Sequence, residues 1–324
     1  MIILRKLKAA AAAVALVVAT AGIAVADPIT VTDVAGREVT IPAPAKRLLL
    51  GEGRDLVTLS VVHPDPVSVL AGWLGDLRLL DTDTYDRFKA AYPAIERVPL
   101  VGSTNEESFS IEKALSVAPD LAVLGFAGHG PSPRSKEVID RLTEAGIPIV
   151  FIDFRGKPLE NTIPSLEILG KVLGQEERVA RYVSFYRERL ELVKSRVAAS
   201  TAPRPKVLVD MRPTMDGGCC GSPGKGNLGE FVDLAGGHNI GADVLPGPLG
   251  PLDAEYVLTQ DPAVYIATGT APGALPYVLA FAAGSFLYVA MSDLIPGLHR
   301  EAVDVGAVRQ VVMIGLGVGT IVLL

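Results

Sequence analysis

Cysteine is nearly missing from this chain. Its 324 residues hold two, Cys219 and Cys220, and these are adjacent. No disulfide framework can staple distant segments with such a pair. A vicinal disulfide in an oxidising compartment and a pair of soft metal ligands are the readings left, and with no His or further Cys beside them they make a poor zinc site. Basic residues are not in excess: 30 Lys and Arg stand against 36 Asp and Glu, a net charge of -6. No Lys/Arg stripe with interleaved aromatics is visible, which excludes nucleic acid as a partner. No Ser/His/Asp triad or paired-carboxylate arrangement stands out, so nothing points to an enzyme. The run Gly218 to Gly226 fails as a phosphate loop, because its spacing is one residue too long and Gly226 stands where Ser or Thr would meet magnesium.

What the chain does have is apolar sequence at both ends, which explains a mean hydropathy of +0.37. Arg5, Lys6 and Lys8 precede an apolar run from Ala9 to Val25, and Ala24-Val25-Ala26 closes it with small residues. That pattern predicts a signal peptide over 1–26 and export to the periplasm. At the other end, Pro276 to Leu294 and Val305 to Leu324 are two apolar segments near membrane-spanning length, separated by a polar stretch around His299 and Arg300. They predict a transmembrane hairpin over 276–324, with small residues such as Gly284, Gly315 and Gly319 allowing close helix contact. A buried hairpin that completes the preceding domain is the other reading.

Between the ends the pattern is α/β. Ile29 to Ile41 alternates around Gly36, a hairpin signal. Short apolar strands at 47–50, 67–70, 121–124 and 149–152 alternate with helices at 56–62, 111–117 and 135–145. This predicts a mainly parallel sheet covered on both faces. From Glu176 to Ala199, Val179, Tyr182, Val183, Tyr186, Leu190, Val193 and Val197 recur at helical spacing with no Gly or Pro between. Such a rod, roughly 36 Å long, is suited to joining two lobes. The α/β pattern restarts at Lys206 to Asp210, continues through a helix at Leu228 to Ala235 and a strand at Ala263 to Ile266, then stops.

Several runs together resemble the iron-siderophore, haem and cobalamin binding proteins of bacterial ABC importers. They are Val31-Thr-Asp33-Val-Ala-Gly36-Arg37, Ser110-Ile-Glu112-Lys-Ala-Leu with Ala118-Pro119-Asp120, Leu173-Gly174-Gln-Glu, Ala235-Gly236-Gly237-His-Asn239-Ile240 and Asp253-Ala-Glu255-Tyr-Val-Leu. The resemblance spans residues 30–268 and implies two Rossmann-like lobes joined by one long helix. Residues 27–160 would form the first lobe, 161–200 the connecting helical region, and 201–275 a second, incomplete lobe. It also implies a cleft that captures a ferric siderophore, haem or cobalamin-type ligand and presents it to an inner-membrane ABC permease, with no resident cofactor. By motif position Glu112 and Asp233 would dock on permease arginines. The C-terminal run Phe281 to Ala290, with Asp293-Leu-Ile-Pro296, resembles the penultimate helix of ZIP-type metal transporters, though the metal-site helices of that family are absent.

Ligands of open α/β sheets bind beyond the carboxyl ends of strands. That rule selects the loops at 51–55, 125–131, 153–156 and 211–220. Arg54, Arg155 and Arg212 offer guanidinium donors there, suited to an anionic, oxygen-rich chelate. Trp73, the one tryptophan, is a candidate for stacking, and His129 for a loop contact with metal or haem. The expectation is an inner-membrane-anchored periplasmic binder. Its rivals are a rearranged fusion with no productive cleft and a fragment of a metal-ion permease.

Overall fold

A computed structural model describes residues 27–211 and 220–268. The expected signal peptide (1–26), the loop 212–219 with Arg212 and Cys219, and the expected transmembrane hairpin (276–324) lie outside the described residues. Among the described residues no helix is long and apolar enough to cross a membrane. The described residues gather into one unit.

The chain opens with a hairpin, β1 (Ile29–Thr32) antiparallel to β2 (Glu38–Ile41), in which Gly36 takes φ +77 at the turn. Asp33 at this turn is buried. It accepts from the amides of Ala35, Arg37 and Phe151, and from the Arg37 guanidinium, which lies 4.4 Å over the Phe151 ring. The Val31–Arg37 run therefore has a structural job: it pins the hairpin to the main sheet.

That sheet has five parallel strands in the order β5-β4-β3-β6-β7. In chain order the first lobe runs β3 (Leu48–Leu50), α1 (Asp55–Val62), β4 (Leu70–Leu74), α2 (Asp76–Leu80), α3 (Thr82–Ala91), β5 (Leu100–Gly102), α4 (Ile111–Ser116), β6 (Leu121–Gly125), α5 (Lys136–Glu144) and β7 (Ile149–Ile152). Alternate side chains of each strand enter different clusters. Leu48, Leu50, Leu121, Val123, Val150 and Ile152 join one core. Leu49, Ala122, Leu124, Ile149 and Phe151 join the other. Both faces are therefore covered, as the unbroken apolar strands require.

One expectation shifts. Patterning predicts a strand over 67–70, but β4 starts at Leu70 and contains Trp73. Asp65 captures the Ser68 amide and hydroxyl and turns the chain there, which delays the strand. The elements between 76 and 102 carry no strong pattern, and β5 is three residues long.

The rod expected over 176–199 is present, and a second helix precedes it. α6 (Pro158–Leu173) ends at Gly174, which takes φ 64, and α7 (Glu176–Ala198) follows at once. Of the apolar stripe on α7 only Val179 and Val183 are fully buried, and Val193 is exposed. The first half packs on α6, where Gly170 admits Val179; the second half is mostly solvated, with Val197 half-buried against Gly236.

The second lobe is smaller. A parallel sheet ordered β10-β8-β12 combines β8 (Lys206–Asp210), β10 (His238–Asn239) and β12 (Val264–Ala267). A two-stranded piece pairs β9 (Gly221–Pro223) with β11 (Leu249–Pro251). Helices α8 (Leu228–Leu234), α9 (Gly241–Val244) and α10 (Ala254–Gln260) complete it. Every residue of β12 is exposed, and with Phe231 and Val209 it borders an open apolar hollow of about 390 Å³.

Two outcomes are expected. Leu49→Ala, which opens a hole in a strand buried on both faces, should cost about 3 kcal/mol in urea unfolding. Amides of α8 and β12 should exchange with deuterium well before those of β3, β6 and β7. Uniform protection across both lobes would contradict the uneven coverage seen here.

Candidate functional site

Chain order reverses beside β3. β4 and β5 lie on one side of it, β6 and β7 on the other. Crevices outside the carboxyl ends of strands at such a switch are where open α/β sheets hold ligands. Here the loops after β3, β6 and β7 converge on one carboxylate. Glu52 is 3% exposed. Its Oε1 accepts from Arg54 Nη2 at 2.8 Å and Arg155 Nη2 at 3.1 Å. Its Oε2 accepts from the backbone N–H of His129 at 3.1 Å. Residue 128 must be glycine for this contact, since a Cβ there would overlap Glu52 Oε2.

A second buried carboxylate completes the arrangement. Asp76 heads α2, accepts from the Gly53 amide at 2.5 Å, and takes the Arg54 Nε at 3.1 Å. Burial and the neighbouring Glu52 charge push its carboxyl above the usual range, against the pull of the Gly53 amide and Arg54. Asp55, at the head of α1, is pushed well above its ordinary value by burial and by Glu52. On the β7 loop, burial pushes the Asp153 carboxyl up. Hydrogen bonds from the Asn161 amide and the N–H groups of Arg155, Gly156 and Lys157 outweigh that, and hold it below its ordinary value.

Above these groups lies a cleft of about 610 Å³ between the lobes. Arg54, Leu80, His129, Phe154, Arg155 and Pro158 line it from the first lobe and α6. Met211, Asn227, Leu228, Phe231 and Leu249 line it from the second. The lobes are tied at its edge. The Asn227 amide donates to the Gly156 carbonyl at 3.1 Å, and Glu230 accepts from the Leu159 amide at 2.9 Å in the first turn of α6.

A family model for periplasmic binding proteins matches residues 59–276. The chain belongs to the periplasmic binding protein family. Among curated proteins it is 24% identical to a cobalamin-binding protein of Halobacterium salinarum over 56% of this chain and 46% of that one. It is 26% identical to the vitamin B12-binding protein of Vibrio cholerae over 62% and 66%. The chain thus spans about half the length of the first of these relatives. Among solved structures it is similar to the TroA-like periplasmic binding protein FepB of Veillonella parvula (TM-score 0.64, 27% identity, 75% of this chain, 70% of that one). The fold is shared with the molybdate periplasmic binding protein MolA of Haemophilus influenzae (TM-score 0.61, 19% identity, 78% and 77% covered).

In this periplasmic binding protein, three of the residues selected by the strand-end rule meet at one cleft: Arg54, His129 and Arg155. Trp73 does not. It is 0% exposed and stacks on Tyr85 at 6.3 Å, because it falls within β4 on the face turned to the core. Arg212 lies outside the described residues. Glu112 is exposed on α4. Hydrogen bonds from its own amide and from the Ser110 hydroxyl hold its carboxyl below the ordinary value. Asp233 is exposed on α8 and pairs with Arg204 at 2.9 Å.

Sequence reasoning missed Glu52 and Asp76, which hold the arginines. Glu52 stands in the selected loop, two residues from Arg54, so its proximity was legible. Asp76 was not, because its approach depends on β4 and α2 packing beside β3.

Asp153→Asn tests this loop. The folded Asp153 value is depressed, so its contribution is present above the unfolded value, about 3.9, and is lost as pH falls through the folded one. The variant should unfold at lower urea than the parent at pH 7, and the difference should shrink by pH 3. A gap that stays constant with pH would refute the assignment.

Proposed function

We propose that this chain captures a metal chelate or corrinoid in the interlobe cleft and hands it to an inner-membrane ABC permease. The observation that carries this reading is the cleft itself: a concave, largely apolar site of about 610 Å³ at the switch point of a buried parallel sheet, with arginines held at its floor. The cobalamin- and vitamin B12-binding relatives support a bulky ligand of this class. Arg54, Arg155 and His129 are proposed to touch the ligand, and Arg212 to join them from the loop that follows β8. Phe154 and Phe231 supply apolar contact from opposite lobes. Glu112 and Asp233, one on each lobe and both exposed, are proposed to meet the permease. Export to the periplasm follows from the expected signal peptide.

A second reading is favoured by one observation. The exposed apolar strand β12 and the hollow beside Phe231 mark a second lobe with little cover. In that reading the lobe does not hold its half of the cleft, and the chain is a non-productive fusion.

Equilibrium dialysis against cyanocobalamin, haemin and a ferric tris-hydroxamate separates the two. Saturable retention of at least one is expected, with Arg155→Ala weakening it about tenfold. Retention of none, by protein shown to be folded, would favour the second reading. Glu112→Ala should leave ligand affinity unchanged and lower uptake through the cognate permease. A loss of ligand affinity in that variant would remove the docking role.

A further inference from the structure

Guanidinium groups in a ligand cleft ordinarily read as anion receptors. In this cleft the charges are already spent. Arg54 is bound by Glu52 and Asp76, and Arg155 by Glu52. Both carboxylates are essentially inaccessible, at 3% and 0% side-chain exposure, so their charges act in a low-dielectric setting. Asp55 and Asp153 bring further carboxyls from the loops after β3 and β7, Lys157 is paired with Glu160 at 3.0 Å, and Glu230 faces α6 from the second lobe. Among the described residues Arg54 and Arg155 are thus matched by Glu52 and Asp76; burial first, and the Glu52 charge second, push the carboxyls of Asp55 and Asp76 upward.

We propose that this cleft selects a chelate or corrinoid of no net charge and discriminates against polyanionic chelates, because buried Glu52 and Asp76 neutralise Arg54 and Arg155 where these face the ligand. This rests on the ligand-binding reading above. An incoming anion has two routes, both unfavourable. It shares arginines beside a buried carboxylate of like charge, or it draws them off and leaves Glu52 buried and unpaired. A neutral ligand meets neither cost. Arg54 uses Nε and Nη2 on its carboxylates and Arg155 uses Nη2, so the other guanidinium N–H groups stay available to carbonyl, amide or hydroxamate oxygens. Leu80, Phe154, Leu228 and Phe231 supply apolar walls for the rest of such a ligand. Glu52 and Asp76 are thus specificity-determining positioning residues that act through the arginines.

The test compares ligands of one metal and similar size that differ in charge. Equilibrium dialysis of the full chain with radio-iron compares a neutral ferric tris-hydroxamate with a trianionic ferric tris-catecholate, and cyanocobalamin, a neutral cobalt corrinoid, is followed separately by its own absorbance. At least one neutral ligand should bind about tenfold or more tighter than the tris-catecholate, and its affinity should change little with added salt. Glu52→Gln and, separately, Asp76→Asn should narrow that gap by strengthening the tris-catecholate. Thermal melts check that each variant folds, and the wild-type comparison stands without them. A tris-catecholate that binds the wild-type chain as tightly as the neutral ligands, or tighter, overturns the inference and leaves the binding reading intact. Retention of none of the three overturns the inference, and if haemin is not retained either, the binding reading falls with it.

Discussion

A carboxylate buried at the end of a central strand has to be paired, or the fold loses several kcal/mol to its desolvation. Glu52 is paired three ways, and each partner comes from a different place in the chain: Arg54 from its own loop, the His129 amide from the loop after β6, and Arg155 from the loop after β7. One buried charge therefore fixes the relative positions of three loops that the sheet alone would only bring near each other. Gly128 belongs to the same constraint, because any side chain there would displace the carboxylate. The floor of the cleft is rigid for this reason. Its arginines are presented in fixed orientations and at reduced effective charge.

The two lobes are built to different standards. The first has a five-stranded sheet with apolar clusters on both faces, further sealed by a hairpin that Asp33 and Arg37 lock onto β7. Among the described residues the second has a three-stranded sheet and a two-stranded piece, small clusters and an edge strand whose residues are all exposed. The ties between the lobes are few and polar: Glu230 to the first turn of α6, and Asn227 to Gly156. The rigid half thus carries the polar anchors of the cleft, and the lightly built half contributes Met211, Leu228, Phe231 and Leu249, which are apolar.

Much of this was legible in the chain. Unbroken four-residue apolar runs at 121–124 and 149–152 announce strands buried on both faces, and they appear as β6 and β7 within one residue. Glycine after a helical pattern marks the end of α5, where Gly146 takes φ +74. The strand-end rule located Arg54, His129 and Arg155 because it depends only on topology. It failed on Trp73, since a four-residue error in placing β4 turns a strand residue into a loop residue, and the strand's pleat then decides which way the ring points. The α7 stripe was real as a pattern, yet only Val179 and Val183, in its first half, are fully buried.

The sequence by itself determined the α/β class, the parallel sheet, the long helix α7 and the loops that border the cleft. These follow from local periodicity, turn residues and chain order, which are properties of neighbours along the chain. Only the tertiary structure decided the charge of the site. Arg54 and Arg155 read alone are two cations, but Asp76 and Glu52 neutralise them across separations of 22 and 103 residues, and Asp153 is held by its own loop's amides. Coulombic pairing depends on distance in space and on exclusion of water, and neither is written in the order of the residues.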